Sequence, residues 1–162
     1  MKGTYDFRNL IRPILALIQD AGGVPVVEAQ FAGKQDEYPF VSYECVNPYL
    51  PISTDVIDHE TFETIWSFDA YAEDSFESLN TAMMVEKLLR TQATTFTLTD
   101  NGIVFVDAQD VETRDVSFAI QEQRRSGFDA RFRVRDQFED AVETIDSLSL
   151  NGFSLPKNNK EA

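Results

Sequence analysis

The sequence predicts an α+β domain, a mostly antiparallel β-sheet with two helices packed on one face. Three observations predict it. Residues 127–137, GFDARFRVRDQ, alternate strictly: Phe128, Ala130, Phe132 and Val134 fall on one side, and Asp129, Arg131, Arg133 and Arg135 on the other. Phe7, Leu10, Ile11, Ile14, Leu15 and Ile18 recur at the spacing of an amphipathic helix. Between these two segments the pattern runs strands, a second helix and strands again, which segregates the helices instead of alternating them one for one with strands.

The first helix takes Thr4 as its expected N-cap and ends at Gly22 and Gly23. Pro13 lies off the apolar stripe and is expected to kink or restart the helix. Residues 26–31 read as a strand, followed by a turn containing Gly33. Residues 38–46 read as another, with Val41, Tyr43 and Cys45 in line and Pro39 near its start. Residues 47–60 form a long connection. Residues 61–71 alternate again, with Phe62, Thr64, Trp66, Phe68 and Ala70 on the core side. Asp74 followed by Glu77 opens a second helix that runs to about residue 92. Residues 94–99 and 103–111 flank Asp100, Asn101 and Gly102, a hairpin signal. Residues 116–123 are expected to pair with the 127–137 strand. Beyond Gln137 the pattern fits either a helix over Phe138, Ala141, Val142, Ile145 and Leu148 or an extended arm, and residues 156–162 are expected to be disordered.

At 162 residues the chain is long enough to bury a core without disulfides or metals. Its 14 Lys and Arg against 28 Asp and Glu give a net charge of −14. That balance argues against holding nucleic acid by neutralising phosphates. The single Cys45 cannot form an intramolecular disulfide, suits a reducing compartment, and reads as a buried structural thiol. Lys2, Arg8 and Arg12 precede a short apolar run at residues 14–18, but Asp6 and Pro13 interrupt it and no cleavage-type small residues follow, so a signal peptide is not expected. No segment approaches the roughly 20 apolar residues of a membrane span, and the chain reads as soluble and intracellular.

The charges are unevenly placed. No Lys or Arg lies between Lys34 and Lys87, while Arg124, Arg125, Arg131, Arg133 and Arg135 crowd one late segment. A row of guanidiniums on one strand face calls for carboxylate partners. These arginines are expected to meet Glu60, Glu63 and Asp69, either on a neighbouring copy or within the same sheet, where exposed pairs contribute only about 0–1 kcal/mol each. Asp55, Asp58, His59 and Glu60 are the best metal candidate, yet they come from one short loop without EF-hand or zinc spacing, and a solvated acidic loop is the expected reading. Asp55 and Asp58 could serve as paired catalytic carboxylates only with environments that separate their pKa values. The chain carries no P-loop, nucleophile elbow or zinc signature. No enzyme activity, cofactor or metal is therefore expected.

The order of elements, together with WSFDAYAEDSFES leading into a helix and RRSGFDARFRV, resembles the tailed-phage neck or tail terminator proteins over roughly residues 5–136. The expected division is a terminator-like domain over 1–137, a C-terminal extension or arm over 138–155, which either belongs to the shared fold or is added to it, and a disordered tail over 156–162. The resemblance implies a virion protein, assembled in the host cytoplasm, that forms a homo-oligomeric ring, usually of six subunits. Such a ring ends the tail tube and joins it to the head connector or stopper protein, and DNA passes through its lumen without specific binding. Another head–tail joining or tail-tube protein, or a small acidic adaptor, is the alternative. A ring needs two different complementary patches on each copy, and separated charges can provide them.

Overall fold

The computed structural model describes residues 4–31, 37–115, 124–140, 148–150 and 153–155. Helix α1 (Arg8–Gly22) buries Leu10, Ile11, Ile14 and Ile18, as its stripe predicts. Its start differs: Phe7 occupies the N-cap without a side-chain cap, and the Asp6 carboxylate accepts the Arg8 N–H at 3.0 Å, so Thr4 is not the cap. Pro13 lies inside the continuous helix without ending it. Gly23, at φ +65°, closes α1 by donating its N–H to Gln19 O, a left-handed turn that favours glycine.

Strand β1 (Val26–Glu28) is shorter than the sequence suggests, because residues Ala29–Phe31 coil into a 3₁₀ turn. Strand β2 (Phe40–Pro51) is longer, so the expected connection over 47–60 shrinks to 52–60. Strand β3 (Thr61–Ala72) and helix α2 (Ser75–Leu89) form where expected. Asp74 caps α2 by accepting the N–H groups of Phe76 at 2.9 Å and Glu77 at 3.1 Å.

The predicted hairpin around Asp100 to Gly102 is replaced by a third helix, α3 (Gln92–Asp100). Threonine favours strands by its branched Cβ, but here Thr95, Thr97 and Thr99 turn their hydroxyls onto the carbonyls of Thr91, Ala93 and Thr95, one helical turn back. Thr91 caps the helix through the Thr94 N–H, and Gly102, at φ +71°, terminates it. Strand β4 (Val104–Ala108) therefore pairs with a distant strand, β6 (Arg124–Arg135), instead of folding back on residues 94–99.

The main sheet has the order β1-β2-β3-β6-β4, with the short β5 (Glu112–Thr113) also on β6. β1 and β2 are parallel, and every other pairing is antiparallel. The expected strand over 116–123 lies outside the described residues, as do the candidate helical residues 141–147 and the tail over 156–162. After the irregular segment 136–140, β7 (Leu148–Leu150) and β8 (Phe153–Leu155) form a separate antiparallel hairpin, so the extended reading holds at 148–150.

One face of β3 and β6, bearing Phe62, Trp66, Phe68, Phe128, Phe132 and Val134, forms a single core with Ile14 and Ile18 of α1, Val85 and Leu89 of α2 and Leu98 of α3. Small polar side chains sit where α2 meets β6, with Ser78 Oγ and Ser126 Oγ hydrogen-bonded at 3.0 Å. Asp74→Ala removes the α2 cap and is expected to lower stability by about 1 kcal/mol, read as a lower urea midpoint at unchanged slope.

Candidate interaction surfaces

The opposite face of β3 and β6 is polar, and its order follows from register. Antiparallel pairing sets Glu63 across from Arg133, Ser67 across from Asp129, Asp69 across from Gly127 and Tyr71 across from Arg125. Asp69 is 2% exposed. Its carboxylate accepts Arg125 Nη2 at 2.6 Å, Arg114 Nη1 at 3.3 Å and the Ser67 hydroxyl at 3.5 Å. Arg114 Nη1 also donates to Ser67 Oγ at 2.7 Å and to Asp129 Oδ1 at 3.0 Å. Gly127 makes room for this cluster, since a Cβ there would overlap both the Asp69 carboxylate and the Phe68 carbonyl.

The buried carboxylate shows in the titration of its partners. Burial pulls the Arg125 and Arg114 guanidiniums down, but the contacts with Asp69, joined at Arg114 by Asp129, outweigh it and hold both above their ordinary value. The Arg125 guanidinium also lies 5.8 Å from the centre of the Tyr71 ring. Further along, Glu63 accepts Arg133 Nη2 at 2.7 Å and Arg131 Nη1 at 3.4 Å, and its carboxyl is lowered, chiefly by the Arg133 hydrogen bond. Arg124 pairs with Asp115 at 3.5 Å. Arg135 donates to the His59 carbonyl at 3.1 Å, and among the described residues it has no carboxylate partner.

The structure thus brings Arg125, Arg131 and Arg133 onto Asp69 and Glu63 of the same chain. Glu60 stands apart: it is 5% exposed, its Oε1 accepts the Tyr49 hydroxyl at 2.5 Å, and among the described residues no arginine pairs with it. Arg114 and Asp129 complete the cluster, and sequence reasoning left both out of the expected contact set. Asp129 was visible on the arginine face of its strand, whereas Arg114 is brought in only by the pairing of β5 with β6.

The loop residues Asp55, Asp58, His59 and Glu60 do not converge. Asp58 accepts the Asp140 N–H at 2.7 Å, while His59 Nε2 lies 3.0 Å from Glu139. Among the described residues no three His, Cys, Asp or Glu side chains form a metal-binding group. Cys45 is exposed instead of buried, because β2 runs past the helix-covered core, with register shifts after Cys45 and Asn47. Its remaining contacts still push the thiol above its ordinary value, mainly through desolvation, so it is not an activated nucleophile. No helix among the described residues is long and apolar enough to cross a membrane.

A second surface is apolar. Val46, Tyr49, Ile52, Val56 and Ile57, each 43–63% exposed, lie on the outer half of β2 and the loop after it. Exposed large side chains concentrated in one stretch mark a protein contact more often than chance placement does.

The fold and these surfaces define a scaffold: ionic clasps hold the strands, and the outer surface offers apolar and charged ground for contact. The chain matches the model of the phage neck terminator protein family over residues 6–156 and belongs to that family. It is accordingly a structural protein of the phage neck, with a role in joining head to tail. The match extends past Gln137 and covers both β7 and β8. No curated protein matches the chain.

Asp69→Asn leaves two guanidiniums without their buried counter-charge. It is expected to cost about 3 kcal/mol, the low end for a broken buried pair because both arginines keep some solvent contact, measured by urea unfolding at pH 7. Glu63 has a lowered folded pKa, so its contribution is complete above the ordinary carboxylate range and declines as pH falls through the folded value. Between pH 7 and pH 3, Glu63→Gln should therefore lose stability less steeply than the wild type.

Proposed function

We propose that copies of this chain close into a ring, of six subunits, that ends the tail tube and joins it to the head connector or stopper protein, with DNA passing through the lumen. The family match over residues 6–156 is the observation that carries this reading. The net charge of −14 suits a conduit, since an acidic wall gives a polyanion little to adhere to. The ring assembles in the host cytoplasm and remains in the virion.

Within the ring, the arginine strand has its polar face to use, because β3 pairs along one edge and β4 and β5 along the other. Arg131, Arg133 and Arg124 hold carboxylates of their own chain yet stay 40%, 43% and 46% exposed, and Arg135 is exposed without an acidic partner among the described residues. A guanidinium carries five N–H donors, so one carboxylate leaves donors free for a neighbouring copy. Arg125, Glu63 and Asp69 lie behind these guanidiniums and hold them in place, whereas Glu60 lies apart from them with Tyr49. The apolar stretch on the end of β2 suits a different protein, the tube subunit or the connector, because its large side chains need a partner that covers them.

Sedimentation of the purified chain should give a species near six times 18.4 kDa, the mass of one copy. Electron microscopy of particles made without this product should show filled heads separated from tails, with tails of irregular or excess length. Absence of tails altogether would transfer the role to the tube itself.

A further inference from the structure

A cavity of about 470 Å³ opens at one end of the β3–β6 ribbon, where Tyr5 packs 5.9 Å from Phe62 and Arg135 lies across from Thr61. Arg8, Arg12 and Arg135 line it, with Tyr5 and Pro13, and none of its lining residues is acidic. In a chain with twice as many acids as bases this is unexpected. Six other arginines, Arg90, Arg114, Arg124, Arg125, Arg131 and Arg133, are each paired with a carboxylate of their own chain. Among the described residues Arg8 and Arg12 have none. They lie one turn apart on α1, where like charges repel. Among the described residues no carboxylate side chain pairs with either guanidinium to favour that placement.

The complementary feature lies at the far end of the same ribbon. β3 runs twelve residues from Thr61 to Ala72, roughly 36 Å at the rise of a strand. Just beyond Ala72, Phe76 is 72% exposed in the first turn of α2. Glu73 and Glu77, both exposed, flank it, and among the described residues neither forms an ion pair. The Asp74 carboxylate holds this turn through the N–H groups of Phe76 and Glu77. Arg124, across from Ala72, is already engaged by Asp115.

We infer that Phe76, with Glu73 and Glu77, docks into the Arg8, Arg12 and Arg135 cavity of the next copy. The inference rests on the ring reading above and adds the contact that closes it. An aromatic face accepts guanidinium planes, and the flanking carboxylates meet the same three cations with bidentate geometry available. Because knob and cavity lie at opposite ends of one strand, the contact is head to tail. Such an arrangement propagates around a ring, and sedimentation distinguishes it by mass from an antiparallel two-fold pair that would use the same contact twice.

Two double variants test the contact, Arg8→Glu with Arg12→Glu, and Glu73→Arg with Glu77→Arg. All four positions are exposed, so circular dichroism should match the wild type. In sedimentation velocity each variant alone should assemble at least tenfold more weakly than the wild type. Mixed in equal amounts they should regain assembly, since each then supplies the charge the other lacks. Variants that assemble as tightly as the wild type overturn this contact while leaving the ring intact, and so does a mixture that stays monomeric. A wild-type chain that stays monomeric at every concentration, with and without tail-tube ends, overturns the ring reading and this contact together.

Discussion

The polar side of the sheet depends on one buried carboxylate. Asp69 lies directly over Gly127, and the absence of a side chain at that glycine lets a charged group sit between β3 and β6 without forcing the strands apart. An isolated carboxylate in that position would cost far more than the sheet could return. Arg125 reaches it from β6 and Arg114 from the segment after β5, and Arg114 Nη1 also donates to Ser67 and Asp129. The network ties β3, β6 and the segment after β5 into one unit, and the aromatic core does the same from the other face. Two central strands are thus fixed on both sides, one by packing and one by charge.

That construction has a consequence for assembly. Guanidiniums committed to Asp69 and Glu63 give rigidity to the sheet, and what remains for neighbours is their outer edge, the unpaired arginines at one end and the exposed apolar stretch along β2. A neck protein benefits from such a division, because a part that joins head to tail needs a frame that does not deform when contacts form. The buried ionic contacts lie within the chain, and the surface keeps exposed charged and apolar side chains.

Much of this was legible in the sequence. Strict alternation in residues 61–71 and 127–135 identified both central strands and their buried faces, and the stripe from Phe7 to Ile18 identified α1. The family resemblance read from the order of elements agrees with the match over 6–156. The threonine-rich segment 92–100 misled because branched side chains favour strands in isolation, whereas the hydroxyls of Thr95, Thr97 and Thr99 find carbonyls one helical turn back. Cys45 looked buried because its parity matched Val41, but parity says nothing about where the covering helices end.

The sequence by itself determined the α+β class, the two-sided character of the central strands and the excess of acid, which follow from local period and composition, and it carried the neck terminator resemblance in the order of its elements and two short phrases. Only the tertiary structure decided which carboxylate each arginine meets. Pairing depends on strand register and on residues far apart in the chain: Arg114 is 45 positions from Asp69, and Arg133 is 70 from Glu63. Spacing along a strand fixes the face on which a charge stands. The partner across the sheet is set by how the whole chain closes.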